Sequence, residues 1–115
     1  MNIFLFLFSL TSWAQTISCD FFVVANVHFA TVKLLYDGEG KLFPNAQVVN
    51  QLGMVREESI DADNPAPDES FHGWLSKGTK NELEMIIYKE PVGAPRSKLV
   101  NHAVPVGKVM WGRCQ

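Results

Sequence analysis

Cysteine is scarce in this chain, 2 in 115 residues, and the two stand near opposite ends as Cys19 and Cys114. They form no C-x-x-C pair, which removes the usual redox and zinc-ribbon readings. Asn-x-Ser/Thr is absent, so glycosylation is not indicated. No apolar run approaches the roughly 20 residues that a spanning helix needs. The chain also has no internal repeat, no low-complexity linker and no G-x-S-x-G nucleophile elbow. A formal charge of -2 and a pI near 5.9 give no overall electrostatic case for nucleic acid.

What is present begins with export. Residues 1–14 combine the apolar run Ile3 to Phe8 with Ser9, Thr11 and Ser12 and the small-residue pattern Ser12-Trp13-Ala14, which reads as a secretory signal cleaved after Ala14. The expected location is therefore the periplasm or the extracellular space, where a disulfide between Cys19 and Cys114 persists. Acylation of Cys19 as a lipoprotein anchor is the competing fate. It fits less well, because Gln15 and Thr16 separate the cysteine from the apolar core and acylation would strand Cys114 as a lone thiol. Residues 15–115 are then a single domain with a modest core, for which one staple matters.

Periodicity along that domain is mostly period 2. Leu83, Met85 and Ile87 alternate with Glu82, Glu84 and Ile86, as in a half-buried strand. With Phe71 to Ser76 before it and Lys77-Gly78-Thr79-Lys80-Asn81 between, this predicts a hairpin whose tight turn uses a positive φ at Gly78. A second hairpin is predicted from His28 to Tyr36 and Lys41 to Val49 around Asp37-Gly38-Glu39-Gly40. Further strands are expected at Ile17–Ala25, Met54–Ile60, Lys98–Ala103 and Lys108–Cys114, with Asp61–Glu69 as an acidic, proline-containing loop. Pro44 to Leu52 has some helical spacing, but Gly53 limits it to about two turns and strand ranks above it.

Strand count and cysteines constrain each other. In an up-and-down sheet the start of the first strand and the end of the last share an edge only when the number of strands is even. The expectation is an all-β domain of seven to eight strands, a small barrel or curled meander with its termini tied by the disulfide. The uncertain turn is Ala25-Asn26-Val27; a chain running straight through it leaves seven strands and a sandwich.

Candidate chemistry is sparse. His28, His72 and His102 are far apart in sequence and include no short ligand pair, so no metal and no cofactor are expected. Asp61, Asp63, Asn64, Asp68 and Glu69 supply oxygens, but Pro65 and Ala66 occupy positions where an EF-hand loop needs a ligand and a glycine. Glu82 and Glu84 share a strand face about 7 Å apart, a spacing two acid-base carboxylates can use; this pair, or His72 with a carboxylate, defines a small-hydrolase alternative. Alternating glutamates on an exposed face more often serve solubility. Phe21 and Phe22 are consecutive, so one must face outward. Trp74 and Trp111 each adjoin a glycine, Gly73 and Gly112, where a ring can fold over backbone.

Export signal, small all-β body and single bridge resemble, in architecture alone, the periplasmic inhibitors of lysozymes and other small envelope barrels. The Ser-Gly-rich loop of those inhibitors, with its following tyrosine, is not found, and no site residue carries over. The sequence thus favours an exported, non-catalytic binding or inhibitory module for a protein, peptide or glycan. Trp74, Trp111 and the acids Asp61, Asp63, Asp68 and Glu69 are its candidate contacts. A structural envelope component is the third reading.

Overall fold

A computed structural model describes residues 15–23, 27–77, 80–90, 92–103 and 108–115. Eight strands are formed: β1 (Gln15–Val23), β2 (Val27–Tyr36), β3 (Asn45–Asn50), β4 (Val55–Ala62), β5 (Glu69–Lys77), β6 (Lys80–Tyr88), β7 (Arg96–Asn101) and β8 (Lys108–Cys114). Each pairs antiparallel with its neighbour in sequence, and β1 pairs with β8, so the sheet closes into a barrel. The even count holds because the chain reverses after Val23, which pairs with Val27. Ala25 and Asn26, the residues of the uncertain turn, lie outside the described residues, as do Gly78 and the signal segment.

Alternation decides what fills the barrel. Cys19 and Phe21 on β1, Ala30, Val32 and Leu34 on β2, Leu83, Met85 and Ile87 on β6, and Leu99 and Met110 opposite them are all buried. At eight strands the interior is just wide enough for side chains to fill it. The outer wall carries charge on most strands, for example Asp20, Lys33, Asp61, Glu84 and Lys98. This is the inverse of a transmembrane barrel, whose outward band is apolar, and no described helix is long and apolar enough to cross a membrane. Phe21 is fully buried while its neighbour Phe22 is 38% exposed and meets His28 edge to face, which resolves the consecutive pair.

Several strand boundaries differ from the sequence reading. The predicted strand Lys41–Val49 begins only at Asn45, because Pro44 has no N–H to give the ladder; upstream of it the pairing with β2 is reduced to the isolated bridge Tyr36 to Leu42, while the Pro44 carbonyl accepts the Ile60 N–H of β4. The same segment is strand rather than helix. Asp61 and Ala62 belong to β4 and Glu69 to β5, so the acidic loop is only residues 63–68. Strand β7 starts at Arg96 instead of Lys98 and ends at Asn101, whose side chain accepts the Ala103 N–H and turns the chain.

The disulfide lies on the closing seam. Ser18 and Gln115 exchange both backbone hydrogen bonds, which makes Cys19 and Cys114 the adjacent non-hydrogen-bonded pair, with Cα atoms 3.9 Å apart. Both cysteines point inward and are buried. Glu58 is also buried in the described barrel; Arg56, two residues along the same strand face, holds its carboxylate at 2.5 Å. A carboxylate so enclosed needs such a partner.

Candidate functional site

Hairpin β5–β6 sets up one outer-wall cluster. Its register pairs Trp74 with Glu84 and His72 with Ile86, so Trp74, His72 and Glu84 share the outward face. Strand β4 brings Asp61 opposite Trp74, and the turn after β7 brings His102 over Glu84. The Glu84 carboxylate has both oxygens engaged: Oε2 accepts from His72 Nε2 at 2.6 Å and Oε1 from His102 Nε2 at 3.1 Å. Trp74 lies against His102, ring centroids 5.2 Å apart, and donates its indole N–H to Asp63 at 3.0 Å.

The acidic loop is pinned to this cluster. Asp63 N–H donates to the His72 carbonyl, and the Glu69 carboxylate accepts the Ala66 N–H while standing 4.0 Å from His72 Nδ1. Asp61, Asp63 and Asp68 remain exposed. Trp74 and the acids Asp61 and Asp63 therefore share one surface. Trp111 is elsewhere: it lies on β8, with β6 and β7 between it and Trp74. There its ring stacks with Tyr88 at 6.3 Å, and Arg96 and Lys98 sit over it at 5.2 and 5.7 Å. Cations already occupy that indole.

Two histidines that looked unrelated in the sequence thus meet through one carboxylate. Among the described residues no group of three His, Cys, Asp or Glu side chains is placed to hold a metal ion. Glu82, the other half of the expected carboxylate pair, has its side chain outside the described residues. Glu84 itself faces two imidazoles. A cavity of about 160 Å³ lies away from the cluster, lined by Leu35, Phe43, Pro44, Asn45 and Glu57. It is the notch left where Pro44 interrupts the ladder.

Electrostatics at Glu84 are legible from its neighbours. Partial burial pushes its carboxyl upward, but hydrogen bonds from His102 and His72 and the charge of both outweigh this and hold it below the ordinary value of 4.5. A carboxyl depressed in the folded state contributes stability that is full above its unfolded value and is lost as pH falls through the folded value. Glu84→Gln should therefore cost stability at pH 6, with the difference from wild type shrinking below about pH 4.5. Denaturant midpoints between pH 6 and 3 measure this; a difference that stays constant to pH 3 would show that the bridge does not depend on the anion.

These features define a class by structure: a disulfide-closed, up-and-down eight-stranded barrel with a filled interior and a polar outer wall. No family model, curated protein or solved structure matches the chain.

Proposed function

We propose that the protein is an exported, non-catalytic binding or inhibitory module that engages a protein, peptide or glycan through the Trp74 surface. The observation that carries this reading is the joining of Trp74 to Asp63, with Asp61 in register beside it. A side-chain-filled barrel leaves recognition to its outer wall. There, an aromatic ring fixed by a hydrogen bond and bordered by exposed carboxylates supplies both an anchor and a preference for basic groups. The disulfide and the export signal support an oxidising compartment.

Capture from the surrounding medium or envelope, repeated over a range of salt, tests it. The expected result is a salt-sensitive partner whose affinity falls roughly 30-fold with Trp74→Ala, on the scale of an aromatic hot spot. Asp63→Asn should weaken it several-fold, and Trp111→Ala should leave it unchanged. If nothing is retained, or if Trp74→Ala captures as well as wild type, the reading fails.

A further inference from the structure

Charge is uneven along the chain: acids prevail before Ser70 and bases after it. An up-and-down barrel preserves this, because strands adjacent in sequence are adjacent in space. The β4–β6 wall and its loop carry Glu57, Asp61, Asp63, Asp68, Glu69 and Glu84. Among the described residues Glu69 and Glu84 meet histidines, and none of the six is ion-paired with a lysine or arginine.

Strands β7 and β8 present the opposite sign. Arg96 and Lys98 extend from β7 over the Trp111 ring, Arg113 stands in register beside Arg96, and Lys89 and Lys108 are exposed at the two ends. Two carboxylates border them and both are engaged. Glu90 lies 3.4 Å from Arg113, and Asp20 accepts the Thr31 hydroxyl and stands 3.8 Å from His28. Arg96 and Lys98 have no carboxylate partner in the described barrel. Of the other described charges, Arg56 and Glu58 neutralise each other, and Lys33, Asp37, Glu39 and Lys41 lie on β2 and the loop after it, separated from the two walls by β1 and β3. The side chains of Lys77, Lys80 and Glu82, around the β5–β6 turn, lie outside the described residues.

Both walls are set before any contact is made. Tyr88 and Trp111 carry the Arg96 guanidinium at 4.7 and 5.2 Å, so less of its freedom is lost when it meets a carboxylate. Across the barrel, Asp63 accepts the Trp74 indole N–H while donating its own N–H to the His72 carbonyl, and the Asp68 carbonyl accepts the Lys89 N–H. A single exposed ion pair is weak, but complementary patches of several charges select partner and register.

Within one molecule the two walls cannot meet, since each is an outer face of the same closed barrel. From their complementarity we infer that the acidic β4–β6 wall of one copy docks on the Arg96–Lys98 wall of a second copy of this chain. This rests on the preference of the Trp74 surface for basic groups and names a source of them in the chain itself. The two walls are different surfaces, so the contact is heterologous: an open complex keeps one wall of each kind free and growth continues past the dimer. Self-association covers Trp74 at high local concentration and frees it on dilution.

Sedimentation of the barrel, residues 15–115, between roughly 10 μM and about 1 mM tests the inference, a range suited to weak contacts. In low salt the weight-average mass should climb past the dimer, and high salt should return it to the monomer. Arg96→Glu/Lys98→Glu and Asp61→Lys/Asp68→Lys should each associate at least roughly tenfold more weakly when alone. Mixed in equal amounts they should recover association, since each supplies the sign that the other lacks. Leu52→Asp/Met54→Asp, at the exposed β3–β4 tip, should change nothing. A wild type that stays monomeric throughout that range in low salt, association indifferent to salt, a mixture no better than its parts, or loss with the tip variant would overturn the inference. Circular dichroism should show all the variants folded, and the salt series on wild type decides the question without any of them. In capture from dilute solution, where the chain is monomeric, Arg96→Glu/Lys98→Glu should retain the Trp74 partner as wild type does. Failure of that capture with self-association intact would fell the reading of a separate partner alone; capture with a monomer at every concentration would fell this inference alone.

Discussion

Replacing Cys19 and Cys114 together by alanine is expected to lower the melting temperature by about 20 °C or more. The bridge spans 95 positions, and closing so long a loop removes enough denatured-state entropy for about 4 to 5 kcal/mol, with about 4 to 8 °C for each kcal/mol in a domain of this size. A small barrel has little core with which to make up such a loss. Location adds to the effect, because the pair ties β1 to β8, the contact that joins the two ends of the chain. Without it, seven hairpin-neighbour pairings survive but closure must be won against the full loop entropy. Burial of both sulfurs makes a second, kinetic consequence visible. Reductant should act only as fast as the seam opens, so that mild denaturant accelerates reduction. Thermal unfolding of the double variant, with reductant-treated wild type as the comparison that leaves no alanine cavity, measures the effect. A shift of only a few degrees in both would mean that the barrel closes without its staple.

The fold was largely legible from the sequence because three signals agree in it. Period-2 alternation marked the faces, turn residues marked most of the reversals, and the cysteine positions favoured an even strand count over the seven-stranded sandwich. The disagreements fall where a local feature competes with pairing. Pro44 delays β3, and Asp61 and Ala62, polar or small, are drawn into β4 because Trp74 and Gly73 on β5 lie in register beside them. Composition does not show that, since pairing supplies backbone hydrogen bonds whatever the side chain.

The candidate site was half legible for the same reason. A hairpin centred near Thr79 puts Trp74 opposite Glu84, and His72 follows on the same face. His102 does not follow. Its approach depends on the β6–β7 register, Glu84 with Val100, which is set by a proline-containing connection whose length alone does not fix the offset. Likewise the placement of Tyr88, Arg96, Lys98 and Trp111 on one wall needs the pairing of three strands at once.

Gly112→Ala should be the most damaging single methyl that the barrel can receive. A Cβ at that position would lie 1.8 Å from the Asp20 carbonyl oxygen, 2.8 Å from its carbon and 3.2 Å from the Phe21 Cα. All three are backbone atoms of the neighbouring strand, so no rotamer change relieves the overlap and β8 must move away from β1. The seam cannot easily give, because two residues on the disulfide fixes the same strands at a Cα separation of 3.9 Å. The crowding explains the small residues on the inward face here: fully buried Ser97 stands in register with Gly112, beside fully buried Phe21. Overpacking ordinarily costs about 1 to 3 kcal/mol; with rigid backbone on one side and a crosslink on the other, the cost should exceed about 3 kcal/mol, a melting-temperature loss of about 15 °C or failure to fold. Two other glycines calibrate the effect. At Gly73 the obstacles are the tip of the buried Phe71 ring at 2.6 Å and the Asp61 carbonyl oxygen at 3.1 Å, a milder overlap than at Gly112, and at Gly40 nothing lies within 4 Å, leaving only the strain of φ +82°. The expected order of destabilisation is Gly112→Ala well ahead of both, read as melting temperatures of the three variants. Equal losses at Gly112 and Gly40 would show that the two strands are further apart at the seam than their packing requires.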